Sequence, residues 1–376
     1  MYKMNFSTQH LRDVFAAEED KYENFRKLCY DLNHGNEIYE YDEDGNAHKL
    51  TKREASKAVR KVLMEIAELD ENTVKSAKLR KRKLKAHRDE IFEVIEEDID
   101  FKVETGFDED EWFDEFVEKK NLALGDDEEF WTKNDIMLTV AKVSRGQHDL
   151  TMQHLNEGES YKLHTNVFGV KIGEDIDRIM LGRVDYTELT DKIAKAFIYM
   201  IKTMCYEEVY NAAKKLPNNS QFVKTGALTA STKEKFDELI EDVETANKAS
   251  VIIMGTKTAL KKINNLAEVD WRSDAQKNEI ATTGRLGSYE GVTLMEIPQR
   301  FVENDVTKKL IDNKMLLIFP VTEDKFVKFV DKGETEITEE GQEKGELADD
   351  FKGYEVKREM GVATQLTGYF GKWTLE

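Results

Sequence analysis

The chain has 376 residues, of which 40% are hydrophobic, and its 76 acidic and 56 basic side chains give a formal net charge of −20. This length and apolar content are enough for two or more hydrophobic cores, whereas so negative a surface repels nucleic acid over most of its area. The sequence has no apolar run of about 18 residues that could span a membrane and no secretory signal at its N-terminus. We therefore expect a soluble intracellular protein.

Cysteine and histidine spacing gives no sign of a metal site. Cys29 and Cys205 are the only cysteines, and two such distant thiols form neither a disulfide framework nor a metal-ligand pattern. The seven histidines show no H-E-x-x-H motif. His148, His154 and His164 are close in sequence, but they lie in a polar stretch where hydrogen bonding is the commoner role. We predict no structural metal and no cofactor.

The N-terminal region, residues 1–87, is predicted to be a helical extension. Apolar residues fall on one face of a helix over 7–32. Residues 38–49 have the pattern of a β-hairpin with an Asp-Gly turn. Thr51 and Glu54 have the spacing of a capping box, which predicts a further helix. We expect this extension to be ordered.

Two adjacent segments carry opposed charge. Residues 75–88 contain eight basic residues and no acid, whereas residues 96–130 contain sixteen acids and three bases. Such blocks suit contacts between neighbouring copies of one chain, and two solvated helix faces are an equal alternative. Phosphate binding by the basic block is a third interpretation, which its lack of aromatic residues disfavours.

The acidic segment is also rich in aromatic residues. A disordered linker rarely carries so many rings, and aromatic anchors supply much of the binding energy at protein interfaces. We therefore predict that residues 96–134 form an arm that lies across a neighbouring subunit. The rings that we expect to make these inter-subunit contacts are Trp112, Phe113, Phe116 and Trp131.

A long two-stranded ribbon is predicted next. Residues 148–155 and 161–172 favour β-structure and are separated by a turn composition at 156–159. A ribbon with polar residues on both faces is only marginally stable alone in water and needs another surface. We expect it to contact a neighbouring subunit, and its candidate contact residues are His148, His154, Lys162 and Lys171.

The most regular element is an amphipathic helix predicted over 185–216. Its apolar residues recur at steps of three and four and form one broad stripe. Asp185 and Glu188 have the spacing of a capping box, and Pro217 cannot continue the helix. At about 1.5 Å per residue this helix is about 45–50 Å long. We expect the other elements to pack around it.

The remainder alternates helices and strands. Ser231 with Glu234 predicts the start of a helix, the apolar run 251–254 predicts a buried strand, and a second helix is predicted over 256–266. The later predicted elements are strands at 291–297, 314–319 and 324–330, a polar segment at 331–350, and two final strands with kinks at Gly361 and Gly368. This order indicates an α+β or α/β layer.

No active site is evident. The glycines in 284–291 lack the Gly-Lys-Ser/Thr of a phosphate loop and the spacing of a dinucleotide fold, so a turn into the next strand is the better interpretation. Ser288 lacks a G-x-S-x-G context, and acids are too numerous for two to be selected as a general acid and base. We predict a non-enzymatic protein with no catalytic, cofactor-binding or metal-binding residues.

The order of these elements resembles that of the major capsid proteins of tailed bacteriophages, whose Hong Kong phage type of fold is shared with encapsulins. The likeness covers roughly residues 88–376. It is carried by the segments FWTKNDIMLTVAKVSRGQHDLTMQHLNEGESYKLHTNVFGVKI, GRVDYTELTDKIAKAFIYMIKTM, ASVIIMGTKTALKKI with GRLGSYEGVTLMEIPQRF, and YEVKREMGVATQLTGYFGKW.

This resemblance implies an α+β capsid fold built around a long spine helix. The regions that it implies are a helical N-terminal extension (1–87), the N-arm and start of the peripheral domain (88–144), an extended β-hairpin loop (145–183), the peripheral-domain spine helix (184–220), an axial domain (221–342), and C-terminal strands that return to the peripheral domain (343–376).

The resemblance also implies a function. It predicts a structural protein that self-assembles as pentamers and hexamers into an icosahedral shell around the double-stranded DNA genome of a tailed bacteriophage or prophage, without sequence-specific DNA binding. Further implied partners are a portal and scaffold or decoration proteins, with no membrane. The implied location is the virion, after assembly in the host cytoplasm. An encapsulin-like nanocompartment shell is the alternative.

Overall fold

The computed structural model describes residues 6–16, 21–41, 47–108, 111–123, 129–131, 160–173, 176–216, 218–266, 280–302, 305–322, 324–339, 354–366 and 368–376. The α-helices are α1 (Gln9–Ala16), α2 (Lys21–His34), α3 (Lys52–Ile66), α4 (Glu71–Lys75), α5 (Ala77–Ala86), α6 (Arg88–Asp108), α7 (Glu111–Phe116), α8 (Ile176–Met180), α9 (Tyr186–Lys215), α10 (Lys233–Asn247) and α11 (Lys257–Ile263). Short 3-10 helices cover Ser220–Phe222 and Ala230–Thr232. No described helix combines the length and the apolar character needed to cross a membrane.

Within the described residues, the strands form two main sheets and three small ribbons. They are β1 (Tyr39–Tyr41), β2 (Ala47–Lys49), β3 (Val117–Leu122), β4 (Glu129–Trp131), β5 (Ser160–Lys162), β6 (Asn166–Ile172), β7 (Val223–Thr225), β8 (Val251–Gly255), β9 (Ser288–Tyr289), β10 (Val292–Glu296), β11 (Phe301–Val302), β12 (Asp305–Lys309), β13 (Met315–Pro320), β14 (Val327–Glu339), β15 (Tyr354–Thr364) and β16 (Gly371–Thr374). One main sheet has the order β3-β14-β15-β6 and the other has the order β7-β16-β13-β8-β10-β9. The ribbons are β1-β2, β4-β5 and β11-β12.

Helix α9 is the longest element and confirms the predicted spine. The N-cap Asp185 accepts a hydrogen bond from the backbone N–H of Thr187 at 3.0 Å. Its 30 residues span about 45 Å. One detail differs from the prediction: the Glu188 carboxylate pairs with Lys192 at 2.6 Å instead of reaching back to close a capping box.

Helix α6 packs along α9, and both helices contact the four-stranded sheet. The buried side chains of α6 recur at helical spacing and include Ile91, Ile95, Ile99 and Val103. The expectation of a contact arm over 96–134 is therefore wrong for residues 96–108. Apolar residues are sparse there, but they share one stripe, and the chain's own core covers it.

Strand β14 corrects two sequence-based expectations. It pairs antiparallel with β15 and parallel with β3, so residues 331–339 belong to a strand and not to the predicted polar segment. It also places the end of the expected axial region, 221–342, in the sheet beside the spine helix. The strand contains the polar residues Lys328, Asp331 and Thr335, which are buried. A polar sequence is tolerated here because each of them is hydrogen-bonded to another side chain.

The last strand also departs from the prediction. Of the two C-terminal strands, β15 lies in the four-stranded sheet, as expected, but β16 pairs with β13 and β7 in the six-stranded sheet. Trp373 of β16 is 1% exposed and meets Phe236 of α10 edge-on, with ring centroids 5.4 Å apart. Burial of this indole keeps the end of the chain in the second core.

That second core confirms the predicted alternation of helix, strand and helix. All residues of β8 are buried, and α10 and α11 pack on the sheet that contains it. The expected Ser231–Glu234 box is not the one used: Thr229 and Thr232 form the box instead. Between β9 and β10, Glu290 and Gly291 have φ values of +48° and +92°, which agrees with a tight turn rather than a phosphate loop.

The N-terminal helices form part of the larger core. Thr51 and Glu54 close the predicted capping box, with the Thr51 backbone N–H 2.9 Å from the Glu54 carboxylate. The Ser56 hydroxyl of α3 donates to Asp185 at 2.7 Å. The predicted hairpin is present as β1 and β2, while its Asp-Gly turn lies outside the described residues. These contacts join α3 directly to the start of the spine.

Candidate functional site

The base of a β-hairpin projects from the four-stranded sheet where the sequence predicts an extended ribbon. Strand β4 pairs antiparallel with β5, and Trp131 lies opposite Ser160. Phe130 is 1% exposed and shares a small core with Leu163 and Val330. The predicted second strand, 161–172, is divided in the structure, because β5 pairs with β4 and β6 pairs with β15. The predicted first strand, 148–155, lies outside the described residues.

A close approach of backbones fixes this hairpin base to the sheet. A Cβ atom at Gly361 of β15 would lie 2.5 Å from the carbonyl oxygen of His164 and 2.3 Å from the Leu163 side chain. Only glycine fits at that distance. The segment between β5 and β6 therefore lies directly on β15, and the direction of the hairpin is set by the sheet.

Three of the predicted contact rings lie in the chain's own core. Trp112, Phe113 and Phe116 are 5%, 4% and 2% exposed. Trp112 meets Tyr206 of the spine with ring centroids 4.7 Å apart, and Phe116 meets Phe326 at 5.4 Å. The expectation that these rings insert into a neighbour is wrong for the folded chain, because they are buried between α9 and the start of β14.

The other predicted contact residues have different positions. Lys162 has a side chain that is 57% exposed, with its ammonium 3.7 Å from Glu129 across the hairpin. Lys171 is exposed on β6 opposite Glu355. Trp131 ends β4, and its side chain lies outside the described atoms, as do His148 and His154 entirely. The inter-subunit role of these five residues stays a prediction.

Two exposed apolar features could contact another copy. Strand β6 is at one edge of the four-stranded sheet, where an edge strand offers unpaired backbone groups, and its Val167 is 64% exposed. The β11-β12 ribbon exposes Phe301, Val302 and Val306 by 52%, 38% and 77%. Nothing in the described part of the chain covers these side chains.

The ribbon β11-β12 is held firmly at its root. The Gln299 amide donates to the Ile311 carbonyl at 2.5 Å. The Arg300 guanidinium lies 3.8 Å from the centroid of the Tyr199 ring on α9 and hydrogen-bonds the Tyr199 carbonyl. This anchoring presents the apolar end of the ribbon in a defined direction from the spine.

An acidic groove of about 650 Å³ lies between α6 and β14. Arg358 crosses its floor, donating to Asp331 at 2.9 Å and to Asp100. The groove walls carry Glu96, Glu97, Asp100, Glu104, Glu334 and Glu336. Burial, together with the nearby Asp100, Glu93 and Glu336, raises the pKa of Glu96 from 4.5 to about 7, although the Ile337 backbone N–H donates to its carboxylate at 2.6 Å.

We expect Glu96→Gln to stabilise the chain in mildly alkaline solution. The folded-state pKa of Glu96 is raised, so the folded chain holds this proton more tightly, and its stability falls as pH rises from about 4.5 to about 7. Glutamine is neutral at every pH and still accepts from Ile337. With a discount for solvent screening, the gain is about 1 kcal/mol near pH 8 and close to zero near pH 5. Urea unfolding at both pH values measures it.

The exposed Glu188→Gln on α9 is the matched control. The free energy of unfolding of Glu188→Gln should depend on pH in the same way as that of the wild-type chain. An equal stability difference for Glu96→Gln at both pH values would contradict a raised pKa at Glu96, since the effect would then be independent of ionisation.

The basic segment 75–88 is partly used inside the chain. Arg80 of α5 is buried and pairs with Asp177 of α8 through two guanidinium nitrogens, one of them at 2.8 Å. Lys83 pairs with Glu68. Part of the positive charge of this segment is therefore neutralised by acids of the same chain.

The sequence gives little sign of the buried polar groups that the fold brings together. Arg358 with Asp331 and Asp100 is one such set, and Lys102 with Asp98 and Thr190 is another. The four-residue spacing of Asp98 and Lys102 was the available signal. Without the fold it could not be distinguished from the many exposed pairs of the same spacing.

Several solved shell structures are similar in shape to this chain. The bacteriophage PhiM1 mature capsid has a TM-score of 0.47 at 10% identity, covering 70% of this chain and 86% of that chain. The capsid of the Cyanophage P-SCSP1u has a TM-score of 0.45 at 13% identity, covering 70% and 88%. The SrpI encapsulin complex from Synechococcus elongatus has a TM-score of 0.41 at 12% identity, covering 70% and 86%. No curated protein matches the chain.

The decisive likeness is to a sequence family. A family described as "SPbeta prophage-derived putative capsid protein YonB" matches residues 24–374. The match extends from α2 to β16 and so includes the spine helix and both main sheets. Because it covers nearly the whole chain, this protein belongs to the YonB family of prophage-derived capsid proteins.

Proposed function

We propose that copies of this chain self-assemble, as pentamers and hexamers, into an icosahedral shell that encloses double-stranded DNA. The observation that carries the proposal is the capsid family match over residues 24–374. The exposed edge strand β6, the apolar ribbon β11-β12 and the hairpin base β4-β5 support it, since these are surfaces that the described chain leaves open.

Each contact between copies is expected to be modest on its own. A subunit that engages several neighbours at once gains stability through effective concentration, without any single strong interface. In this proposal, Lys162 and Lys171, together with Trp131, His148 and His154, contribute to such contacts. The shell is a structural, non-enzymatic assembly, formed in the host cytoplasm and retained in the virion.

The charge of the subunit suits the enclosure of DNA without tight binding. A net charge of −20 per copy repels phosphates over most of the surface.

A portal, with scaffold or decoration proteins, would complete the assembly. The prophage origin of the family favours this viral shell over an encapsulin-like compartment. Particles purified after prophage induction should therefore contain nuclease-resistant DNA.

Assembly is tested with the purified, untagged full chain. We expect sedimentation velocity over a range of protein concentrations to show capsomers or closed shells, and negative-stain electron microscopy to show rings or spheres. A chain that sediments as a monomer at every concentration, in low and in high salt, would contradict self-assembly.

A point variant tests the apolar ribbon. Val306→Asp places a charge on a side chain that is 77% exposed, so the fold of the single chain should be unaffected. Burial of that carboxylate between copies would be costly, and we expect at least a tenfold higher protein concentration for assembly. Val306→Thr, of nearly the same shape and uncharged, is the control. Equal assembly of both variants would exclude the ribbon as a contact.

A further inference from the structure

Three potential metal ligands meet where the N-terminal helices join α6. His10 lies on α1, His87 is the C-cap residue of α5, and Glu90 lies in the first turn of α6. One ligand atom from each residue lies within 4.8 Å of the others. The rings of His10 and His87 have centroids 5.0 Å apart. All three residues are only partly exposed, so the cluster is built into the fold.

The hydrogen bonds of this cluster leave nitrogen lone pairs available. Nε2 of His10 lies 3.0 Å from the Ile66 carbonyl, to which it can only donate, so its Nδ1 carries the lone pair. Nδ1 of His87 lies 2.6 Å from the Glu90 carboxylate, and its Nε2 lies 3.6 Å from the Glu68 carboxylate. With a metal ion between Nδ1 of His87 and Glu90, Nε2 would carry the ring proton and face Glu68, and a carboxylate beside the protonated nitrogen orients the ring and strengthens the other nitrogen as a ligand.

The donor set has a chemical preference. Two imidazoles and one carboxylate are the ligands that Zn²⁺ takes in tetrahedral sites, together with a fourth oxygen. Glu68 lies beside Nε2 of His87, on the side of the ring away from Glu90, so a water molecule and not Glu68 would supply that fourth oxygen. Glu68 would then keep its ion pair with Lys83.

We propose that His10, His87 and Glu90 bind a divalent transition-metal ion of the Zn²⁺ type. The ion would link α1 to α6 and so fasten the N-terminal helices to the helix that packs on the spine. The sequence predicts no such site, because His10 and His87 are far apart in the chain and only the fold brings them together. This inference is independent of shell assembly and would hold for a single chain.

The test uses the untagged full chain with Zn²⁺ alone as the probe. Calorimetric titration measures binding, and thermal unfolding with and without the ion measures stabilisation. We expect saturable binding that raises the unfolding temperature, since an ion that binds only the folded state stabilises it. Co²⁺ in place of Zn²⁺ should give the intense visible absorption of a tetrahedral nitrogen and oxygen site.

Two ligand variants and one control decide the result. His10→Asn and Glu90→Gln should each weaken Zn²⁺ binding at least tenfold, while His48→Asn, at an exposed position in β2, should leave it unchanged. Circular dichroism shows which variants are folded, and Glu90→Gln decides the matter if His10→Asn is not. The proposed site would be excluded if the wild-type chain showed no saturable Zn²⁺ binding. It would also be excluded if a folded ligand variant bound Zn²⁺ as tightly as the wild-type chain does.

Discussion

Replacement of Lys102 by Met should lower the free energy of unfolding by about 3 kcal/mol or more. Lys102 and Asp98 face each other inside the larger core, with side chains that are 5% and 1% exposed. The ammonium donates to Asp98 at 2.7 Å and to the Thr190 hydroxyl of α9 at 2.6 Å. Methionine keeps the length of the side chain but leaves the Asp98 carboxylate buried without its counter-charge.

The neighbours of this pair explain why the loss should be large. Cys29 of α2 and Tyr186 of α9 are buried beside it, and burial followed by the Asp98 charge raises the pKa of both groups. Both groups therefore stay neutral, and neither a thiol nor a phenol can supply the positive charge that Lys102 provides. Water has little access to the Asp98 carboxylate, which is 1% exposed, so solvent does not replace the lost ammonium.

The chain contains a closely matched control. Lys192 pairs with Glu188 at the same four-residue spacing on α9, but both side chains are exposed, by 69% and 65%. Lys192→Met should change the free energy of unfolding by less than about 0.5 kcal/mol. Chemical denaturation of the two variants measures the contrast directly.

A double variant separates charge from packing. Asp98→Asn combined with Lys102→Met removes both charges, and we expect it to recover more than half of the loss, since the main cost is an unpaired buried charge. A double variant as unstable as Lys102→Met alone would show that packing, and not charge pairing, determines stability at this junction.

Regular periodicity was the most reliable predictor of this fold. The spine helix, strand β8 and the Thr51–Glu54 box are present where the sequence predicts them. In each case the signal is local: apolar residues repeat at the period of the element, or a cap has its partner three residues away. Such patterns are independent of what the rest of the chain does.

Expectations failed where polarity was taken as evidence of exposure. Strand β14 was expected to end before residue 331, yet its polar side chains are buried and paired with residues far away in sequence, as Asp331 is with Arg358. Likewise Trp112 and Phe116 were expected to bind a neighbour, but α7 packs Trp112 against Tyr206 of the spine and Phe116 against Phe326. Composition indicates that a ring will be buried, and only the tertiary fold decides against which surface.

The candidate contact surfaces were predicted only in part. A projecting β-element near Lys162 was expected and its base is present, but its pairing with β4 required a partner from before the predicted ribbon. The apolar ribbon β11-β12 was not predicted, because Phe301 and Val306 look like ordinary strand residues in sequence. Their exposure becomes informative only after the rest of the chain is seen to leave them uncovered.

Removal of residues 132–159 should abolish shell formation while the fold of the single chain is retained. These residues lie outside the described part of the structure, between the end of β4 and the start of β5. They include the first strand (148–155) and the turn (156–159) of the ribbon that is predicted to overlap a neighbouring subunit. Trp131 and Ser160 are opposite one another in an antiparallel pair. An Asn-Gly connection therefore closes the hairpin with a two-residue turn. A deletion of 148–172 would be less informative, because it would also remove β6.

The expected effect is large because loss of one of several simultaneous contacts acts on the whole assembly. Loss of this overlap should raise the concentration needed for assembly by roughly a hundredfold or more, as measured by sedimentation velocity. The matched control removes residues 340–353 and joins Glu339 to Tyr354, which are also opposite one another in an antiparallel pair, by the same Asn-Gly turn. We expect this control to assemble. Shells formed by the first variant at wild-type concentrations would show that residues 132–159 are not needed to hold neighbouring subunits together.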